Sequence, residues 1–189
     1  MYPVGFRHMG KRFAEVSLDP FDLKMLSILQ RHGRMSKVEL ANAIGLSASP
    51  CHMRLKKLED AGYIIGYHAE VDISRLVNIT KVFTEIALQS HRSDDFDRFE
   101  QAIMKIDEIV ECDATGGGID YLLKIVVTRI DQYQDIMESL LEKNLGISRY
   151  YSYIVTKSIK KYQGYPINSL LDAGTDQIPP PRRRPVAAR

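Results

Sequence analysis

Only three residues, "GLS" at positions 45–47, separate two amphipathic helical patterns near the start of the chain. The first pattern begins at "MSKVEL", where Ser36 and Glu39 form an S-x-x-E capping box. The second begins at "LSASPC", where Ser47 is placed to cap the helix and Pro50 occupies its first turn, a position whose amide needs no partner within the helix. Two helices joined by so short a turn containing glycine are typical of a helix-turn-helix.

A third helix is predicted ahead of these two, beginning at "LDPFDL". Asp19 is placed to cap it, Pro20 suits its first position, and Leu23, Leu26 and Leu29 form its predicted core stripe. After the helix-turn-helix, "GYIIGYHAEVD" has a β-rich pattern that predicts a small wing or hairpin.

The two faces of the last helix of this block differ in chemistry. Cys51, Leu55 and Leu58 have the i, i+4, i+7 spacing of an inward face. The outer face is small at its amino-terminal end, which allows close approach to the major groove, and basic further along. Serine and histidine side chains suit base edges, and lysine and arginine suit phosphates. The candidate DNA-binding residues are therefore Ser47, Ser49, Pro50, His52, Met53, Arg54, Lys56 and Lys57. A plain amphipathic helix with a solvated basic face is the alternative.

Charge is unevenly distributed along the 189 residues. Residues 1–68 contain ten Lys/Arg against six Asp/Glu, a net +4, whereas residues 81–165 contain eleven against fourteen, a net −3. A polyanionic partner such as double-stranded DNA is therefore expected at the amino-terminal block.

Composition excludes several classes of protein. No apolar run approaches the roughly 20 residues of a membrane helix, and the first residues lack the apolar core of a signal peptide, so a cytoplasmic protein without a membrane partner is expected. DNA binding would make it nucleoid-associated. Cys51 and Cys112 are too few for a disulfide framework, and both are predicted to be buried, reduced thiols rather than a metal or redox site.

The second half of the chain alternates strand and helix patterns in the order βαββαβ. Strands are predicted at 80–89, 109–116, 120–128 and 147–162. Helices are predicted at 93–106, with Ser93 as its cap and Phe96, Phe99, Ile103 and Ile106 on one face, and at 131–146, with Tyr133, Ile136 and Leu140 inward. This order predicts a ferredoxin-like sheet with two helices on one face, so the fold class is α+β. Its bare face predicts a homodimer at least.

Three consecutive glycines lie between the second and third strands, in "TGGGIDY". The pattern is not G-x-G-x-x-G between a strand and a helix, which argues against a nucleotide site. A loop that presents its amides to a ligand and a flexible hairpin remain the alternatives. An enzyme is disfavoured, because the nearby candidates Tyr121, Asp120 and His91 form no recognisable nucleophile–base set or metal spacing.

These patterns predict five segments. They are a flexible arm at 1–17, a winged helix-turn-helix at 18–68, a linker at 69–79, a βαββαβ domain at 80–165 for ligand binding and oligomerisation, and a disordered Pro/Arg tail at 166–189.

Three segments of the sequence together resemble a known family. The run from "LDPFDLKMLSILQRHGRMSKVELANAIGLSASPCHMRLKKLEDAGYIIGYHAEVD", with "GGGIDYLLKI" and "YSYIVTKSIKKY", resembles the Lrp/AsnC transcriptional regulators over about 18–163. The resemblance implies a winged helix-turn-helix for DNA, a βαββαβ ligand and assembly domain, dimers that often form octamers, and an amino-acid effector bound between dimers. It implies no cofactor.

The resemblance also implies effector residues. The family's G-x-x-D-Y loop corresponds to residues 117–121, and response positions of the related leucine regulator correspond to residues further along. The candidate effector residues are Gly117, Gly118, Ile119, Asp120, Ile130, Tyr153, Ile154 and Val155. Many relatives have an acidic residue where Gly118 stands. An amino-acid-responsive, sequence-specific regulator is the leading interpretation, and an architectural nucleoid protein with little ligand response is the alternative.

Overall fold

The computed structural model describes residues 17–174, which form two units. One unit combines residues 17–70 with residues 162–174, and the other consists of residues 71–161. Each unit has its own cluster of buried apolar side chains. The predicted arm, apart from its last residue, and the prolines and arginines after residue 174 lie outside the described residues.

The first unit contains the three predicted helices, α1 (Pro20–Leu29), α2 (Lys37–Ile44) and α3 (Ala48–Asp60). The capping box of Ser36 and Glu39 at the start of α2 is confirmed. Gly45 ends α2 with φ of +83°, in the left-handed region that glycine adopts without strain. Ser47 holds the N-cap position of α3 but makes no capping hydrogen bond with its side chain. The helix-turn-helix therefore forms where the sequence predicts it.

The start of α1 has a capping arrangement that includes a residue the sequence analysis did not use. Asp19 accepts hydrogen bonds from the amides of Phe21 and Asp22, and the Asp22 carboxylate accepts one from the Asp19 amide. These bonds satisfy amides that the first turn leaves without a helical partner. Asp22 therefore belongs to the cap, and its side chain also points into the unit.

The predicted leucine stripe of α1 is confirmed for two of its three residues. Leu29 is buried and Leu26 packs against the same core, whereas Leu23 is only half-buried and is not part of that core. Asp22 and Met25 are also buried, and the Asp22 carboxylate reaches cations on α3. The predicted inner face of α3 is confirmed for three residues, since Cys51 and Leu58 are buried and Leu55 packs against the same core. That core contains Met25, Leu29, Leu40, Ala41, Ile44, Cys51 and Leu58.

Asp22 has no exposed side-chain surface and is bound by two cations of α3. Its Oδ1 accepts from Nη1 of Arg54 at 2.8 Å, and its Oδ2 accepts from Nζ of Lys57 at 3.1 Å. Burial by itself would raise the pKa of Asp22, but the hydrogen bonds from Arg54 and Lys57 outweigh burial and lower that pKa. We call Asp22, Arg54 and Lys57 the α1–α3 ion cluster.

The second unit is a four-stranded antiparallel sheet with two helices on one face. Its strands are β1 (Thr80–Leu88), β2 (Ile109–Ala114), β3 (Tyr121–Val127) and β4 (Ile147–Ile154), in the order β2-β3-β1-β4. The helices are α4 (Ser93–Ile103) and α5 (Ile130–Glu142), and a 3-10 turn at Ile73–Arg75 precedes β1. The core between sheet and helices includes Val82, Ile86, Phe99, Leu123, Ile125, Met137 and Leu140. The ferredoxin-like prediction is confirmed.

Several local predictions were wrong. Residues 63–72, in the predicted wing, contain no strand. Within this segment, the Tyr67 hydroxyl donates to Glu59 of α3. Burial and this hydrogen bond raise the pKa of Tyr67 to about 12. The N-cap of α4 is Arg92, so Ser93 lies inside the helix. The last strand stops at Ile154 rather than continuing to residue 162.

The end of the described chain also departs from its prediction. Residues 166–174 were predicted as part of a disordered tail, but Ile167–Gly174 forms a helix, α6, that belongs to the first unit. Leu170 and Leu171 lie three and four residues after Ile167, which is the spacing of one helix face. The polar composition of the rest of the tail obscured this signal.

Only one of the two cysteines is buried. Cys51 lies in the core of the first unit, whereas Cys112 is exposed because β2 is an edge strand. Partial desolvation and the carboxylates of Asp113 and Glu100 raise the pKa of Cys112 to about 11, so its thiol stays protonated at neutral pH.

The α1–α3 ion cluster predicts how this unit responds to substitution. In Asp22→Asn, Arg54 and Lys57 lose their shared carboxylate but remain partly hydrated, since 27% and 38% of their side-chain surfaces are exposed. We expect a loss of about 2 kcal/mol in the free energy of unfolding, and about 3 kcal/mol for Arg54→Ala, which leaves a buried carboxylate with one cation. Chemical denaturation followed by circular dichroism measures both losses.

Acid should remove the difference between the wild type and Asp22→Asn. Because folding lowers the pKa of Asp22, its stabilisation is present above about pH 4 and is lost as the pH falls through the folded-state value. Asp60→Asn, an exposed change on α3, is the control and should alter stability by less than about 0.5 kcal/mol. Equal losses in Asp22→Asn and Asp60→Asn at neutral pH would contradict the assignment.

Candidate DNA-binding and effector sites

An exposed stripe runs along the outer face of α3. Ser49, His52, Met53 and Lys56 are all exposed and follow the i, i+3, i+4, i+7 spacing of one helix face. We call these four residues the α3 stripe. Ser47 and Pro50, at the amino-terminal end of the helix, are exposed as well. The stripe is thus small and polar where the helix begins and basic where it continues, as a helix that enters the major groove requires.

Arg54 and Lys57 lie beside the α3 stripe and are already bonded within the unit. Arg54 Nη1 also donates to Asp19 at 2.6 Å, and its guanidinium lies 5.4 Å from the Phe21 ring centroid. Lys57 Nζ also donates to the carbonyl of Ser17 at 3.0 Å. The structure therefore gives both residues a role between α1 and α3, and their contact with phosphate stays a prediction.

The sequence analysis missed Asp22 although a signal was present. A carboxylate stands three residues before Met25 and seven before Leu29, at the spacing of the buried face of α1. A charged residue in such a position has to be paired. The arginine and the lysine that pair with it, Arg54 and Lys57, both lie on α3.

The glycine-rich loop between β2 and β3 is closed at its base and open above it. The Thr115 amide donates to the Asp120 carbonyl at 2.8 Å, and the Asp120 amide donates to the Ile86 carbonyl at 2.8 Å. A Cβ atom added at Gly116, Gly117 or Gly118 would meet no other atom within 4 Å. The backbone of the loop can therefore approach a ligand closely.

This loop borders a cavity of about 430 Å³ in the second unit. Four of the eight candidate effector residues, those at positions 117–120, line it together. The lining consists of Ala87, Leu88, His91, Gly117, Gly118, Ile119, Asp120, Ser148 and Arg149. We call it the loop cavity.

Charges of both signs meet in the loop cavity. Asp120 Oδ2 accepts from the Leu88 amide at 2.7 Å, and Oδ1 lies 3.0 Å from Nε2 of His91. Arg149 donates from Nη2 to the Gly118 carbonyl at 2.9 Å. A carboxylate and a guanidinium thus border one small space, which suits a ligand with an ammonium and a carboxylate group.

Arg149 and His91 were not among the candidate effector residues. Arg149 pairs with Ala87 across β4 and β1, and only the register of these strands brings it to the loop. His91 was considered as an enzyme candidate from the sequence, and the structure places it against Asp120.

The other four candidate effector residues do not reach the loop cavity within one chain. Ile154 pairs with Val82 near the start of β1, whereas Tyr121, beside the loop, pairs with Ile86. Val82 and Ile86 are four residues apart on β1, so the two positions are separated by about 13 Å along the strand. The four residues away from the cavity are Ile130, Tyr153, Ile154 and Val155.

The three enzyme candidates do not form one constellation. His91 and Asp120 are in contact, but the Tyr121 hydroxyl donates to Glu100 of α4 at 2.9 Å. Burial and this hydrogen bond raise the pKa of Tyr121 above its ordinary value. Residues 17–174 contain no group of three or more His, Cys, Asp and Glu side chains that could hold a metal ion. Within the same residues, no helix is long and apolar enough to cross a membrane.

The sheet face opposite α4 and α5 carries several exposed aromatic side chains. Phe83, Tyr151 and Tyr153 lie there, and the Tyr153 hydroxyl donates to Glu85 at 3.2 Å. Exposed aromatic clusters of this kind mark surfaces that associate with protein.

Comparisons with known proteins agree with this arrangement. Residues 18–65 match the model of the winged helix-turn-helix DNA-binding domain, and residues 81–165 match that of the Lrp/AsnC ligand binding domain. The transcriptional regulatory protein DoeX of Halomonas elongata is 47% identical over 146 residues, which cover 77% of this chain and 92% of DoeX.

Two solved structures have the same fold. An AsnC family transcriptional regulator from Agrobacterium tumefaciens superposes with a TM-score of 0.75 at 30% identity, over 81% of this chain and 99% of its own. A transcriptional regulator from Neisseria meningitidis in complex with L-Met superposes with a TM-score of 0.76 at 32% identity, over 82% and 99%. With a helix-turn-helix, a ferredoxin-like ligand-binding unit and these relatives, the chain belongs to the Lrp/AsnC family of DNA-binding transcriptional regulators.

Proposed function

We propose that this regulator recognises specific DNA through the α3 stripe and responds to an amino acid, or a related small zwitterion, bound in the loop cavity. The observation that supports the effector class is the meeting of Asp120 and Arg149 around one cavity beside exposed loop amides. The regulator from Neisseria meningitidis, whose structure contains L-Met, supports the same class.

The basic residues of α3 have different roles, which depend on whether they are already bonded within the protein. Because Arg54 and Lys57 are held by Asp22, Lys56 is the cation of the α3 stripe that is directed outward. It serves as the phosphate anchor of the helix, and Ser49 and His52 contact base edges. Arg54 and Lys57 add to the positive potential near the helix while they position it.

The effector is held at its two charged ends. Its ammonium group binds Asp120, and its carboxylate binds Arg149 together with amides of the glycine loop. Asp120 is well suited because the Leu88 amide already orients its carboxylate. Gly118 leaves room for the effector where an acidic side chain would add a competing charge.

Self-association occurs through the aromatic face of the sheet, where Phe83, Tyr151 and Tyr153 are exposed. In an oligomer, residues from a second copy complete the effector site. This accounts for the position of Ile130, Tyr153, Ile154 and Val155 at the other end of the strands, away from the loop cavity of their own chain.

The protein acts as a regulator without catalytic activity or cofactor, in the cytoplasm where its DNA lies. His91 contacts Asp120, whereas the Tyr121 hydroxyl is bonded to Glu100, so the three residues are not arranged as a nucleophile and its base.

Substitutions on the α3 stripe should weaken DNA binding without unfolding the protein. Lys56→Ala removes one phosphate contact, so the slope of log K against log salt concentration should become shallower by about 0.9. His52→Ala should cost about 1–3 kcal/mol on the specific site and much less on random DNA. Fluorescence anisotropy with the upstream region of the protein's own gene and with shuffled DNA measures both.

Lys105→Ala, an exposed charge change in the second unit, is the matched control and should leave the salt slope unchanged. If wild type bound upstream and shuffled DNA equally at matched salt, sequence-specific recognition would be refuted in favour of an architectural role.

Substitutions in the loop cavity should weaken effector binding without weakening DNA binding in the absence of effector. Loss of a charge-assisted hydrogen bond in Asp120→Asn or Arg149→Ala should lower amino-acid affinity by about 10–100-fold. A thermal-shift screen of L-amino acids identifies the ligand, because at 100 times its Kd it adds about 2.7 kcal/mol to the wild type. Isothermal titration then compares the variants.

Arg75→Ala, which removes an exposed arginine outside the loop cavity, is the control for that experiment. Wild-type affinity in both Asp120→Asn and Arg149→Ala would exclude the loop cavity as the effector site.

A further inference from the structure

The DNA-binding unit includes a segment from the far end of the chain. Residues 162–174 follow the whole second unit in sequence, yet they belong to the same unit as α1, α2 and α3. The second unit is therefore inserted into the first and is connected to it by two covalent links, one after residue 70 and one before residue 162.

A two-point hydrogen bond fastens this segment to the end of α1. Gln30 Nε2 donates to the Tyr165 carbonyl at 2.6 Å, and the Tyr165 amide donates to Gln30 Oε1 at 2.8 Å. One side-chain amide thus satisfies both backbone groups of a single residue, as a neighbouring strand would. We call residues 162–174 with Gln30 the α1 clasp.

Gly164 makes this close approach possible. It has φ of +98°, and a Cβ atom added there would lie 2.6–2.7 Å from the Cγ, Cδ and Oε1 atoms of Gln30. Any larger residue would push the Gln30 amide away and would strain the backbone as well. The segment then continues through Pro166 into α6, where Asn168 borders a cavity beside α1.

Helix α1 is bonded at its two ends to two different elements. Its carboxyl-terminal cap, Gln30, holds the clasp, and its first turn, through Asp22, holds Arg54 and Lys57 of α3. A continuous series of hydrogen bonds and helix backbone therefore connects residue 165 to the recognition helix. The helix between the two ends has ten residues, so it spans the distance between the two bonded sites as one regular element.

We propose that the α1 clasp transmits the state of the effector-binding unit to the recognition helix. A change that the effector produces in the second unit reaches the first through both covalent links, and the clasp attaches the second of these links to α1. This inference rests on the proposed amino-acid response, since it names the route of that response. When the clasp is released, helices α1, α2 and α3 are connected to the second unit through residue 70 alone.

Hydrogen exchange on the full-length protein tests the docking by itself. Gln30→Ala removes both hydrogen bonds, and Gly164→Ala displaces the Gln30 amide by a different means. Gln163→Ala, an exposed change in the same segment, is the control. We expect the Tyr165 amide to exchange at least 10-fold faster in Gln30→Ala and Gly164→Ala than in the wild type and Gln163→Ala. Equal exchange in all four proteins would overturn the docking.

DNA affinity tests the transmission. Binding of all four proteins to the upstream DNA is measured without and with an equimolar mixture of the twenty proteinogenic amino acids. We expect the mixture to change the DNA affinity of the wild type and of Gln163→Ala by the same factor. For Gln30→Ala and Gly164→Ala, we expect the factor to be less than a third of the wild-type factor. An equal response in all four, with the clasp released in the two variants, would overturn the transmission.

Failure of the proposed function gives a different result from failure of the clasp. If the mixture leaves wild-type affinity unchanged, the amino-acid response is refuted and the transmission with it. The exchange rate of the Tyr165 amide still decides the docking in that case, because it is measured without ligand.

Discussion

The DNA-binding unit depends on one buried carboxylate. Asp22 is inaccessible to solvent, so its charge has to be balanced by groups of the protein, and both cations that balance it lie on α3. A rotation or shift of α3 against α1 would separate these charges. The ion cluster therefore fixes the orientation of the recognition helix, while the apolar core around Met25, Leu40 and Leu58 supplies most of the stabilisation.

The same interaction determines which side chains of α3 remain on its outer face. Arg54 and Lys57 are drawn to the side of the helix that faces α1, and the α3 stripe is left as the outer face. The basic residues of α3 therefore have different roles. Arg54 and Lys57 anchor the helix within the protein, whereas Lys56 stays exposed and is the residue proposed to contact phosphate.

The second unit differs from the first, because its candidate site is an open cavity rather than an exposed helix face. The loop cavity is lined by residues from the ends of β1 and β4, and the three glycines of the loop add no side chains that would fill it. Its polar groups are oriented in advance by Leu88 and by each other. Under the proposed function, such a site would bind a small zwitterion without a large rearrangement of its walls.

Much of the fold could be predicted from the chain alone. The capping box of Ser36 and Glu39, the position of Pro50 in the first turn of α3 and the short turn at Gly45 depend on residues close in sequence, and local geometry determines them. The βαββαβ order followed in the same way from alternation and helical periodicity. The burial of Asp22 was missed because it depends on Arg54 and Lys57 of α3, and the burial of Cys112 was wrongly predicted because the position of β2 at the sheet edge depends on strand order.

Each candidate site likewise has features that the local sequence determines and features that depend on tertiary packing. The sequence by itself determined that α3 has a small, polar and basic outer face and that a glycine loop precedes Asp120. Only the tertiary structure decided that Arg54 and Lys57 are bonded to Asp22, that strand register brings Arg149 to the loop, and that Tyr165 returns to Gln30. Those contacts join residues between 31 and 135 positions apart. Periodicity and capping describe neighbours along the chain, whereas pairing across such distances depends on how the elements pack.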